Sequence, residues 1–185
     1  GRAGTASLNS LIQGWLNPMD EAKSEKRYGD VVYRKRDKVM QIVNNYEREV
    51  FSRFDDDEEK NGVFNGDTGI INEILPGKKL NIDYGEDGYS IYEGTEIAEI
   101  MHSYAITIHK SQGSEYRVVI IVIPKFLVPT MQLRKLIYTA VTRGRELVIV
   151  IGSMQNYKRM IMGENKISRN SRLREKLIEQ VRNQR

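Results

Sequence analysis

The sequence predicts an α/β fold, a parallel-sheet domain interrupted by a small inserted antiparallel β-barrel. Three observations carry that prediction. Residues 118–123 (VVIIVI) and 147–151 (LVIVI) are uninterrupted apolar runs, the pattern of parallel strands buried on both faces. Between them Leu133, Leu136, Ile137, Ala140 and Val141 recur at helical spacing, so strand, helix and strand make a right-handed crossover. Upstream, residues 63–103 break into short strand-like pieces at Asn-Gly, Asp-Thr-Gly, Pro-Gly and Asp-Gly turns, the rhythm of a small barrel.

Taken in order, residues 7–16 place Leu8, Leu11, Ile12, Trp15 and Leu16 at helical spacing, with Ser7 as a cap and Pro18 just beyond. Core packing is the expected role of that apolar face. Residues 23–28 read as a polar linker, and 30–33 and 38–43 as strands about the basic turn 34–37. Residues 44–62 read as irregular, with the acidic run 55–59 solvated and mobile. The pieces of 63–103 hold too few residues for a robust core of their own, so they read as a module inserted into a host domain; a β-meander on the edge of the host's sheet is the other reading. Thr130, after Pro129, is placed to cap the crossover helix. Residues 156–185 are basic, and Leu173, Leu177 and Val181 form one narrow ridge started by Ser168 or Ser171. That ridge fits a docked amphipathic helix or a nucleic-acid-binding arm.

Composition excludes more than it assigns. The 185 residues suit one substantial domain, alone or with a small module, and the net charge of +4 is compatible with a nucleic-acid partner without arguing for one. Without the five acids of 55–59 the balance would stand at +9. There is no Cys and only His102 and His109, so no thiolate or zinc site is expected. No apolar run approaches the roughly 18 residues of a membrane span and no signal peptide is visible, so the expected location is cytoplasmic. The chain opens on GRAGTASLN without an initiator Met and reads as an excised fragment.

The polar residues concentrate in 104–115, YAITIHKSQGSE, which runs directly into an apolar strand. In a crossover the helix returns antiparallel, so its last turn, Thr142-Arg143-Gly144-Arg145, arrives at the amino end of the second strand. The 108–116 loop enters the first strand at the same edge. Two polar clusters distant in sequence are thus expected side by side. Open α/β sheets ordinarily bind ligands at the opposite, carboxyl edge, so this edge suits a surface completing a site shared with another domain or subunit. Arg143 there fits a phosphate, since guanidinium is permanently charged and bidentate. It fits equally a cap on the helix C-terminus. No GxxxxGK[ST], no dinucleotide fingerprint and no acidic metal pair after a strand is present. Ser111, His109 and Glu115 lack the elbow of a hydrolase triad.

Residues 104–116, YAITIHKSQGSEY, followed by LIYTAVTRGRELVIVIG, resemble motifs V and VI of superfamily-one helicases of the RecD-like branch. DKVMQIVNNY and VFNGDTGII are similar to that branch's segments flanking an inserted SH3-like barrel, and LNSLIQGWLNP to the opening of its second motor domain. The resemblance implies a second RecA-like domain (residues 1–60 and 104–165), an SH3-like barrel (61–103) and a C-terminal basic amphipathic helix (166–185). It implies ATP and Mg2+ held mainly by a first RecA-like domain, with single-stranded and duplex DNA as partners and 5′-to-3′ movement. It implies that Arg143 is an arginine finger and that Gly113 and Glu115 face the nucleotide. Thr107, His109, Lys110 and Ser111 would meet the DNA backbone, with Gln112 able to serve either side. The Walker A lysine, the Walker B acids and the motif III glutamine are absent, and the acidic insertion 52–60 departs from the family pattern. A non-enzymatic nucleic-acid-binding module and a structural subunit of a helicase–nuclease complex remain as other readings.

Overall fold

The computed structural model describes residues 3–21, 24–52, 60–127 and 134–162, with residues 178 and 180. The acidic run, Thr130, and the 173–181 ridge with the expected helix 166–185 lie outside the described residues, apart from those two positions.

Helix α1 (Thr5–Leu16) forms at the expected place, but it begins after Gly4, with no side-chain cap, and buries the opposite kind of face. Asn9, Gln13 and Asn17 are at most 6% exposed, whereas Leu11, Trp15 and Leu16 are exposed. The expectation of an apolar core face is corrected. Spacing of i, i+4 and i+8 lines the three amides on one stripe, and each finds a partner across the interface.

The expected linker is a strand. β1 (Glu25–Tyr28) pairs antiparallel with β2 (Val31–Arg34) in a tight hairpin. Next come β3 (Lys38–Gln41), β4 (Asn45–Val50) and β5 (Lys60–Val63). β4 and β5 pair antiparallel, so residues expected to be irregular form a hairpin. Polar Asn45, Glu47 and Glu49 alternate with Tyr46, Arg48 and Val50, a period-2 pattern obscured because its inward member is a charged arginine. Arg48 is buried at 5% exposure. Its guanidinium lies 3.9 Å from the Tyr92 ring centroid and bonds Glu99 at 3.2 Å.

β6 (Thr68–Leu75), β7 (Lys79–Asp83), β8 (Tyr89–Tyr92) and β9 (Ile100–His102) complete an antiparallel sheet in the order β8-β7-β6-β3-β9. β3 lies before the boundary expected at residue 61 yet sits inside this sheet, between β6 and β9. Of residues 96–100 (EIAEI), read as strand-like, 96–99 belong to a 3-10 turn (Gly94–Glu99), and only Ile100 enters a strand, as the first residue of β9. Tyr33, Val39, Ile71, Leu80, Ile82, Tyr92, Ile97 and Ile100 form the core. Phe51 closes the end of β4 onto β8 through two backbone bonds with Tyr89, of 2.8 and 3.0 Å. At the turn beneath them Gly88 has φ 103°, and a Cβ there would collide with the Phe51 carbonyl.

The second unit follows the sequence expectation more closely. β10 (Tyr116–Ile123) and β11 (Gly144–Gly152) are parallel, with Val118 opposite Leu147, Ile120 opposite Ile149 and Val122 opposite Ile151. Helix α2 (Arg134–Val141) lies between them in sequence. Helix α3 (Met154–Met162), unforeseen in the basic tail, starts at Ser153, whose hydroxyl accepts the Asn156 amide at 3.2 Å. Ile121, Ile123, Ile137, Ala140 and Met160 pack into one cluster. Burial on both faces does not hold: Val118, Ile120, Val122, Leu147, Ile149 and Ile151 are exposed. Alternation puts all six on the face opposite that cluster.

Candidate nucleotide and nucleic-acid interface

The sheet edge expected to gather two polar clusters does so. The Tyr116 amide donates to the Arg143 carbonyl at 2.8 Å, and Tyr116 pairs with Gly144. Arg143 follows α2 in a turn and is half-buried. Its Nη1 donates to the Ser114 carbonyl at 3.1 Å, its Nε to Thr139 O at 3.3 Å, and its Nη2 to Thr142 Oγ1 at 3.4 Å. These partners are neutral, so the guanidinium charge is not cancelled by a carboxylate bonded to it. Arg145 Nε donates to Glu115 Oε2 at 2.7 Å. That bond, then the Arg145 charge, hold the Glu115 carboxyl below its ordinary value, with Arg143 adding to the effect.

Residues 108–111 form one 3-10 turn (Ile108–Ser111). Thr107 caps it, its Oγ1 accepting the Lys110 amide at 3.4 Å. Thr107, His109, Gln112, Gly113 and Glu115 are exposed, and Lys110 is half-buried. Gly113 has φ 87°, the left-handed conformation that a reversal between turn and strand requires. Ser111 differs from its neighbours: it is buried, and its hydroxyl donates to Ile108 O at 2.8 Å inside the turn. Lys110 Nζ reaches Asn65 Oδ1 at 2.6 Å and Ile42 O at 3.4 Å, tying the turn to the antiparallel unit.

A second tie, not foreseen, lies at the base of the loop. Asp37 is fully buried and accepts from Gln13 Nε2 (2.6 Å), Asn17 Nδ2 (2.7 Å), the Arg34 amide (2.7 Å) and Tyr104 OH (3.0 Å). His102 Nε2 stands 2.9 Å from the same carboxylate. Burial alone raises this carboxyl, but the bonds from His102, Asn17 and the Arg34 amide, with the His102 charge interaction, outweigh it and leave it below the ordinary value. Asn9 bonds both backbone groups of Ala105, accepting its amide at 2.7 Å and donating to its carbonyl at 2.9 Å. The residues leading into the 107–115 loop are thereby held by α1. The available sequence signal was Asn-x3-Gln-x3-Asn within a helical pattern.

No group of three or more His, Cys, Asp or Glu among the described residues is arranged to hold a metal ion. The described residues thus offer no carboxylate cluster for Mg2+. No helix among the described residues is long and apolar enough to cross a membrane.

Comparison with known families gives two matches. Residues 8–84 match the SH3 domain of ATP-dependent RecD-like DNA helicases, and residues 102–151 match the UvrD-like helicase C-terminal domain. The first match runs across residue 61, as does the sheet itself. The chain is 29% identical over 182 residues to the ATP-dependent RecD2 DNA helicase of Deinococcus radiodurans, covering 96% of this chain and 22% of that protein. It is 30% identical over 153 residues to the RecBCD enzyme subunit RecD of Mycolicibacterium smegmatis, covering 83% of this chain and 24% of that subunit. An uncharacterized protein of Methanocaldococcus jannaschii is 38% identical over 125 residues, 62% of this chain and 10% of that protein. The chain thus spans a quarter or less of these relatives.

Proposed function

Because this chain belongs to the RecD-like helicases, we propose that it forms part of the second motor domain of an ATP-dependent DNA helicase moving 5′ to 3′ on single-stranded DNA and unwinding duplex. In this reading β10, α2 and β11 belong to a RecA-like sheet, residues 61–103 form the inserted SH3-like barrel, and β3 is shared with it. A first RecA-like domain holds the phosphates of ATP and Mg2+; the described residues here hold no cluster arranged for a metal ion. Arg143 reaches across the boundary as an arginine finger, and Gln112, Gly113 and Glu115 line the nucleotide side. Thr107, His109 and Lys110 contact the DNA backbone, where hydroxyl, imidazole and ammonium groups suit phosphate oxygens. Ser111 shapes the turn that presents them.

The bond between Arg143 Nη1 and Ser114 O carries this reading. It puts the arginine against the loop whose two ends serve ATP and DNA, so a guanidinium drawn to phosphate would release that loop. A positioned cation stabilises charge developing on a transferring phosphoryl group and is worth on the order of 10³-fold or more in rate. In the full-length polypeptide, Arg143→Ala should abolish DNA-stimulated ATP turnover while nucleotide binding is retained. Turnover preserved at saturating ATP would defeat the assignment.

A further inference from the structure

On the β4–β5 hairpin two aromatic rings stand in the open. Tyr46 is 69% exposed and Phe64 is 40% exposed, packed edge to face with centroids 5.3 Å apart. Neither belongs to the barrel core. Gly62 lies beneath them at φ 100°, and a Cβ there would press on the Phe64 ring at 3.0 Å, so the missing side chain lets that ring lie against the strand. The backbone around the pair is fixed: the Phe64 amide donates to Asp67 Oδ2 at 2.7 Å and the Asn65 amide to Asn44 Oδ1 at 2.9 Å.

Their neighbourhood is specific. Asn65, the residue after Phe64, accepts Lys110 Nζ at 2.6 Å. The aromatic pair therefore sits beside the turn that carries His109 and Lys110. Asn44 and Asn65 are exposed and flank the rings with amides. Two rings ringed by amides are too small a patch for a stable protein–protein contact, which buries roughly 1,200 Å² or more. They match a different ligand, a flat heterocycle whose faces stack and whose edges accept and donate hydrogen bonds.

We propose that Tyr46 and Phe64 form a stacking platform for the bases of single-stranded nucleic acid, continuous with the Lys110 turn that takes its phosphates. The proposal rests on the helicase reading for the phosphate side, and adds a base-contacting site on the hairpin. Tyr46 contributes the more open ring; Phe64 braces it from the side.

The test compares oligo(dT) with an abasic oligonucleotide of the same length, binding to the full-length polypeptide. The native protein should prefer oligo(dT) by about tenfold or more, the effect of stacking one or two bases. Tyr46→Ala should erase that preference with abasic binding unchanged, and Tyr46→Trp should keep it and show fluorescence quenching by oligo(dT) only. Lys110→Ala should weaken both ligands alike. If Tyr46→Ala retains the preference, or if it alters only assembly with a protein partner, the platform is overturned while the helicase reading stands. A native protein that binds neither oligonucleotide overturns both.

Discussion

His102 Nε2 lies 2.9 Å from Asp37 Oδ2, at the centre of a buried cluster that joins α1, β3 and β9. Its members come from three parts of the chain, and all converge on one carboxylate. Gln13 and Asn17 come from α1 and its C-cap, the Arg34 amide from the end of β2, and His102 and Tyr104 from β9 and the residues after it. Replacing Asp37 by Ala takes the shared acceptor from the Gln13, Asn17, Tyr104 and Arg34 amide donors at a buried position. The expected loss is about 3 kcal/mol or more in a denaturant titration. A loss under about 1 kcal/mol would show that water enters and satisfies the cluster.

The same carboxylate sets an acid limit. Its folded value lies below the ordinary 3.8, so the unfolded chain takes up the proton first as pH falls. Asp37 therefore contributes stability that is full above the ordinary value and is lost as pH drops through the folded one. Glu99 acts in the same direction from 4.5: burial raises it, but bonds from Asn45 and Gln41 and the Arg48 charge hold it down. Asp37→Asn should flatten the acid slope of stability, measured by thermal melts between neutral and strongly acidic pH. An unchanged slope would assign the acid limit elsewhere.

Much of the second unit was legible in sequence because apolar runs and helical spacing report directly on a packed crossover. That the 108–116 loop and the 142–145 turn meet followed from topology, since parallel strands share their amino edge; the particular Arg143–Ser114 bond did not. The first unit was harder. Arg48 occupies an inward position filled by cation–π and carboxylate contacts, so β4 carried no hydrophobic alternation to read. Asn9, Gln13 and Asn17 look like solvent-facing residues until Asp37, Val32, Lys35 and Ala105 are seen opposite them. Polar burial is decided by partners distant in sequence, and a helical pattern names only one side of that match.

At high pH the tyrosines take over. Burial, the largest cause for each, pushes the hydroxyls of Tyr33, Tyr92 and Tyr104 up to about 12, with Asp37 adding to Tyr33 and Tyr104. The unfolded chain ionises them near 10.0, so their contribution is full below that value and is lost as pH rises toward about 12. Ultraviolet titration of Tyr104→Phe should remove one late-ionising phenol. Loss of an early one would place Tyr104 in solvent.

Barrel closure depends on a backbone that only glycine accommodates comfortably. Gly88→Ala forces a Cβ into the Phe51 carbonyl at φ 103°. We expect a loss of about 2 kcal/mol or more, with faster amide exchange at Phe51 and Tyr89. Exchange that rises uniformly over the chain would mean the closure is not a local latch.

Glu115 and Arg145 form an exposed pair, so their mutual attraction adds little to folding. Glu115→Gln should leave the melting temperature unchanged. In the full-length polypeptide, under the proposed helicase reading, it should raise the KM for ATP several-fold through altered placement of the loop beside Arg143. A lowered melting temperature with unaltered KM would make the pair a structural strut.

Helix α1 reaches its seat through amides rather than a greasy ridge, and that changes what kind of joint it makes. Interlocking hydrocarbon ridges can slip by one turn, about 5.4 Å, and still bury carbon against carbon. Asn9, Gln13 and Asn17 each mate with named backbone or carboxylate groups, and a one-turn slip leaves every one of them unmatched in the dark. The joint is keyed like a toothed rack, with a single allowed engagement. Ala105, gripped at both its amide and its carbonyl, is the tooth nearest the 107–115 loop, so the rack indexes where that loop begins.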